Sequence, residues 1–285
     1  MKKILALMLA LCMVLGCTCA SASTFDELQN LLRGGSSEPA AVEEPIAAAP
    51  AAPAAPAAQP ADSVMTVEAK DGLTVLQSSY VMETSDYSSF IDLYLYVVVR
   101  NDSGANIAVD GEVHVFDKAN VEIDDQSYLF PRPSDLAPGE VAYLRENILV
   151  SKTDAAKLPG DVGAIKVTLC SDGYPQYAEP AAHVSVQAAF TRGYDMLGNP
   201  SDNVIRFTVT NNSGKDLVSP AVAGAVYDQN GKLLLVASET LSLTTVVIPA
   251  GGVIMIDCEL MSYELEMIKQ RGATIGTIEA VAYAD

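Results

Sequence analysis

The sequence predicts an all-β protein with two tandem antiparallel β-sandwiches of immunoglobulin or fibronectin kind, placed after a signal peptide and an Ala/Pro-rich disordered linker. Three observations carry this. A landmark-bearing stretch occurs twice at an almost constant offset, each copy divides into short apolar runs separated by turn residues, and the residues before position 64 have too little to bury. A fixed offset held by separate landmarks marks a duplicated domain. Short period-2 runs at regular spacing mark a sandwich.

The first copy runs from Asn101-Asp102-Ser103-Gly104 through Val115-Phe116-Asp117 to Pro138-Gly139, and the second from Asn211-Asn212-Ser213-Gly214 through Val226-Tyr227-Asp228 to Pro249-Ala250-Gly251. The offset is 110 at the Asn and 111 at the Asp and the Pro.

Residues 1–22 read as an export signal. Lys2 and Lys3 precede an apolar run over 4–16, short for a membrane span and of the right length for a leader. Val14-Leu15-Gly16-Cys17 resembles a lipobox that would leave Cys17 lipidated, while Ala20-Ser21-Ala22 fits the small-residue rule of ordinary cleavage. Both routes stay open. Over 23–35, Thr24-Phe25-Asp26-Glu27 matches a capping box, and Phe25, Leu28, Leu31 and Leu32 share a stripe, so one short amphipathic helix is expected before Gly34-Gly35. Residues 36–63 are mostly Ala, Pro and Glu, a semi-extended spacer. At polyproline II rise it would reach on the order of 85 Å.

Repeat 1 is assigned to 64–178 and repeat 2 to 179–285. In repeat 2, Ile205, Phe207 and Val209 alternate with Arg206, Thr208 and Thr210, as in a strand with one buried face. The offset transfers this phase to Leu95, Val97 and Val99 inward, leaving Tyr94, Tyr96 and Val98 outward. The Asn-rich quartets and Asp228-Gln229-Asn230-Gly231 are turn chemistry, the latter a hairpin. Strands are expected near 141–149, 253–260, 162–170 and 275–283, with short helical candidates at 154–158 and 263–270.

The order of Asn-x-Ser-Gly turn, strand ending in aromatic-Asp, hairpin and Pro-Gly before a further strand resembles the FxLYD-type domains of exported bacterial proteins. Val113-His114-Val115-Phe116-Asp117 and Gly224-Ala225-Val226-Tyr227-Asp228 keep that motif's aromatic and Asp, with Val for Leu and no leading Phe. The resemblance implies sandwiches on a cell surface and carries over no catalytic or binding residue.

Chemistry is sparse. His114 and His183 are the only histidines and fall in different repeats, so no zinc-ligand cluster and no base beside a nucleophile is expected. Glu122, Asp124 and Asp125 read as solvated carboxylates on a strand edge, and Asp117 and Asp228 as turn caps instead of calcium ligands, since the further ligands of a calcium loop are missing. Cys12, Cys17 and Cys19 belong to the leader region, leaving Cys170 and Cys258 one per repeat, with Cys258 in a buried phase. No catalytic residue, metal or cofactor is expected. With Lys2 and Lys3 gone, 36 acidic residues stand against 15 basic ones, which disfavours nucleic acid and anionic surfaces as partners.

Partner contacts are expected where the copies differ. Tyr94 and Tyr96 have Val204 and Arg206 at the matching places of repeat 2, and repeat 1 also carries Tyr80, Tyr87, Tyr128 and Phe130-Pro131-Arg132-Pro133. Tyr94, Tyr96, Phe130 and Arg132 are therefore the candidate partner-binding residues, because a broad ring with a polar tip suits protein or sugar contacts. The alternative for the tyrosines is a cross-strand pair or the seam between repeats. The functional expectation is an exported, lipid-anchored bacterial surface protein, or a secreted one, that is not an enzyme and presents a binding or spacer module to an envelope protein or glycan. Set against it are a structural accessory subunit of an envelope assembly and a carbohydrate- or peptide-processing enzyme.

Overall fold

The computed structural model describes residues 64–84, 89–171, 182–195, 197–240 and 246–284, with 182 and 183 by backbone alone. All lie in one compact unit, Pro53–Asp285. The leader with Cys17, the helix expected at 23–35, the spacer, Tyr87 and residues 172–181 fall outside the described residues.

The described residues are nearly all β and form two tandem β-sandwiches. Repeat 1 begins with β1 (Met65–Ala69), β2 (Leu73–Thr84), β3 (Phe90–Asn101), β4 (Ile107–Asp117) and β5 (Glu122–Ser127). It continues with β6 (Asp135–Leu136), β7 (Val141–Ser151) and β8 (Val162–Ser171). One sheet has the order β2-β3-β7 and the other β1-β8-β4-β5, with β6 beside β4. Leu93, Leu95, Val97 and Val99 of β3 meet Val113 and Val115 of β4 and Ile165, Val167 and Leu169 of β8 in the core between them. The inward phase assigned to β3 holds.

Among the described strands one pairing is not antiparallel: β1 runs parallel to β8. The cause is a tight turn at Lys70-Asp71-Gly72, where Leu73 N donates to Lys70 O and Gly72 has φ 84°. Glycine reaches this backbone without a Cβ clash. The entering chain thereby leaves one sheet and continues in the other, along β3.

Repeat 2 comprises β9 (Ala182–Tyr194), β10 (Pro200–Thr210), β11 (Leu217–Val218), β12 (Ala221–Asp228), β13 (Leu233–Thr240), β14 (Val247–Ile248) and β15 (Val253–Glu259). A helix, α1 (Ser262–Gln270), and β16 (Ile275–Ala284) close it. The pairing order is β13-β12-β16-β9-β10-β15, with β11 on β14. The helix expected at 263–270 is present. The one expected at 154–158 is not: Thr153 Oγ1 accepts the amides of Ala155 and Ala156, and only a 3-10 turn at Pro159–Asp161 follows. A side chain that offers the backbone such a local acceptor competes with helix formation.

Both landmark motifs are the same device built twice. Asn101 and Asn211 are fully buried. Asn101 Nδ2 donates to Ala105 O and Leu136 O while its Oδ1 accepts from Ser103, and Asn211 repeats this with Lys215, Ile248 and Ser213. Each asparagine therefore ties its turn to the short strand β6 or β14 and leaves no amide atom unsatisfied. Asp117 Oδ1 accepts from Ala119 N and Val121 N, and Asp228 Oδ1 from Asn230 N and Lys232 N. These are Asx-type turn caps.

The repeats share a buried seam. Leu76, Tyr96, Val98 and Tyr143 of repeat 1 belong to the same core cluster as the β12 and β13 side chains of repeat 2. The outer face of β2-β3-β7 thus lies on the outer face of β12-β13, giving a stack of sheets whose inner members are covered on both sides. Consistent with that, all eight residues of β12 are buried.

Candidate functional site

The seam removes two expected contact residues from the free surface. Tyr96 points away from the core of repeat 1, as the alternation requires, yet it is fully buried because repeat 2 covers that face. Its hydroxyl donates to Glu264 Oε1 at 3.0 Å. Tyr94 is half-buried and stacks on Tyr263 of α1, with ring centroids 3.7 Å apart and planes 12° from parallel. The expectation that these two rings form an exposed partner patch is therefore corrected: they anchor one repeat to the other, which was the alternative for them.

Glu264 organises the seam. It is completely buried, and its Oε1 also accepts Arg145 Nη2 at 3.0 Å while Oε2 accepts the backbone of Met261 at 2.9 Å. A buried carboxylate needs such partners, since an unpaired charge there would cost several kcal/mol. Burial, then the Glu264 charge, pushes the Tyr96 phenol far above its ordinary range. Burial works to discharge Arg145, but Glu264 and its neighbours more than offset this and raise its pKa. At the far end, Gln77 exchanges hydrogen bonds with Gly231 O and Leu233 N, and Arg271 reaches Ser79 Oγ and Tyr80 O.

What stays free is the outer face of β1-β8-β4-β5. Glu112, His114 and Phe116 of β4 face solvent there, paired in register with Thr168, Lys166 and Ala164 of β8. An open groove of about 400 Å³ is lined by Thr66, Glu68, His114, Phe116, Glu122 and Lys166 among others. Lys166 Nζ sits 4.3 Å from the Phe116 ring centroid. His114 Nδ1 contacts Glu122 Oε1 at 2.5 Å, and this hydrogen bond raises the imidazole pKa. A second groove, of about 280 Å³, lies beside Tyr128, and Thr168 lines both.

Phe130 and Arg132 lie in the segment between β5 and β6. Phe130 is 58% exposed, and its amide donates to Glu146 Oε1, whose pKa burial raises. Arg132 is half-buried and pairs its backbone in both directions with Tyr143. Phe130 is thus available to a partner, whereas Arg132 is held against β7. Tyr128 belongs to the same aromatic set of repeat 1, outside the four candidate contact residues, and is 66% exposed. Its distinguishing property is a backbone φ of 71°, which no sequence pattern announces.

Among the described residues no group of three or more His, Cys, Asp or Glu could hold a metal ion. Cys170 and Cys258 are both unbridged. Burial pushes the Cys258 thiol up to about 11 and raises that of Cys170 as well, the opposite of what a nucleophilic thiolate needs. His183, described by its backbone alone, stands in register with Tyr283.

No family model and no curated protein matches this sequence. Among solved structures, red sea bream transglutaminase aligns at 10% identity and TM-score 0.17, over 66% of this chain and 28% of its own. The C-terminal globular domain of an oligosaccharyltransferase from Pyrococcus abyssi aligns at 12% and 0.16, over 75% and 47%, and a family 2 β-glucuronidase at 10% and 0.15, over 70% and 21%. The chain spans less than half the length of each.

Proposed function

We propose that this chain is an exported, lipid-anchored bacterial surface protein, not an enzyme, whose two docked sandwiches form a rigid block that presents a binding surface at the end of a stalk. The observation that carries the reading is the seam: one buried core is shared by both repeats, so the outer face of repeat 1 is held in fixed relation to the whole block. That face and its adjoining loop carry the grooves and the exposed rings Tyr128 and Phe130. The leader, the Cys17 lipobox and the spacer supply the route and the reach. Pre-positioned surface groups bind with less ordering cost than mobile ones.

The test is metabolic labelling of the full chain with a radioactive fatty acid, followed by affinity capture from envelope extract. Label that disappears in Cys17→Ser, together with a captured envelope protein or glycan, is the expected result. An unlabelled wild-type chain overturns the anchor, and substrate turnover in a broad hydrolase screen overturns the non-enzymatic reading.

A further inference from the structure

Tyr128 stands in backbone that a bulky side chain rarely adopts, and its ring is 66% exposed. A glycine would adopt φ 71° at no steric cost, so this side chain is not explained by what it does for the fold. It is nonetheless held in place: the next residue, Leu129, is fully buried and donates its amide to Gly111 O at 2.8 Å. The ring overlooks the 280 Å³ groove, whose lining includes Lys70, Asp110, Glu112, Ser127 and Thr168. In repeat 2 the register puts Ser238 opposite Ala223 where repeat 1 has Ser127 opposite Glu112, so Tyr128 has Glu239 as its counterpart. The feature is specific to repeat 1.

We propose that Tyr128 and this groove form a binding site for an uncharged or amino-substituted glycan, an inference that rests on the surface-presentation reading and names its ligand. A sugar ring stacks its C–H face on an exposed aromatic while its hydroxyls both donate and accept. The groove supplies an ammonium, two hydroxyls and two carboxylates around one ring, a set that matches that pattern. A peptide anchored by apolar side chains would find little besides the ring to bury them against. Polyanionic glycans are disfavoured by Asp110 and Glu112 and by a net charge of −19. Thr168 continues the site into the larger groove, which lets more than one sugar unit lie along the strands.

Calorimetric titration of the full chain with an N-acetylglucosamine hexamer, a glucosamine hexamer and polygalacturonate tests this. At least one hexamer binds and polygalacturonate does not. Tyr128→Gly weakens binding by about tenfold or more, as expected for one stacked ring, and melts no lower than the wild type, while Tyr128→Phe retains binding. Failure of both hexamers, or a Tyr128→Gly chain that titrates like the wild type, overturns the inference. Capture of an envelope protein by a chain that binds neither hexamer removes the glycan and leaves the presentation reading standing. Glycan binding by a chain that takes no lipid label does the reverse for the anchor.

Discussion

Strand β4 of repeat 1 and strand β12 of repeat 2 descend from the same stretch, pair with the last strand of their own sandwich in the same register, and end in the same aspartate turn, yet one faces water and the other faces protein. On β4 the alternate positions are Glu112, His114 and Phe116; on β12 they are Ala223, Ala225 and Tyr227. The alanines leave room for Tyr96, Val98 and Tyr143 of the other repeat. A charged residue in the same register would be buried without a partner. The comparison shows that the inward face of each strand builds a sandwich, and the choice of residues on the other face decides whether a second sandwich docks there.

Exchanging those residues is the strongest way to break the comparison. Ala223→Glu places the repeat 1 residue in the seam and should cost on the order of 5 kcal/mol, from overpacking and an unpaired buried carboxylate, with partial separation of the repeats visible in limited proteolysis. The reciprocal change, Glu112→Ala, should move stability by less than about 0.5 kcal/mol in urea denaturation. Equal effects would show that the two faces are not differently used.

Glu264→Ala follows in size. It strands Arg145 in the seam and should lower stability by about 3 to 4 kcal/mol in denaturant unfolding, with a second transition if the repeats then unfold separately. Tyr96→Phe keeps the ring and removes one hydrogen bond to a carboxylate, for an expected loss of about 1.5 to 2 kcal/mol. If Tyr96→Phe were neutral, ring packing alone would account for this residue.

The smallest effect sharpens the comparison from the outer side. Because Glu122 raises the His114 pKa in the folded chain, the contribution of this pair is fully present below the unfolded value near 6.5 and is lost as pH rises through the folded value. The pair is surface-exposed, so the gain is about 0.5 kcal/mol or less. A pH series of melting temperatures should show that slope in the wild type and not in His114→Ala.

The parts of the fold most legible in the sequence were those made by local chemistry. Asn101 and Asn211, Asp117 and Asp228 announce their turns because the side chain bonds backbone only a few residues away, and such spacing is written in order along the chain. The phase of β3 was readable for the same reason. The seam was harder, because alternation says which face of a strand is inward but not whether a second domain covers the other. A trace was there: residues 95–99 are apolar on both phases, as are 222–226, which is what a strand buried on two sides requires. In the candidate site, Phe130 was legible as an extra aromatic of repeat 1, while Tyr94 and Tyr96 carried the same signature and went to the seam. Tyr128 was legible as one more aromatic of repeat 1, but what sets it apart is a torsion angle, and nothing in the residue order specifies one.

Glu264 has one oxygen on each side of a boundary. Through Oε2 it closes the first turn of α1 on the Met261 amide, and through Oε1 it holds Tyr96 and Arg145 of the other repeat. Starting the helix and joining the repeats are therefore linked equilibria: whatever pulls the carboxylate away from one lowers the population of the other. A force that separates the sandwiches would fray α1 at the same moment, and repeat 2 expressed alone would begin that helix from a carboxylate that has lost two of its three partners.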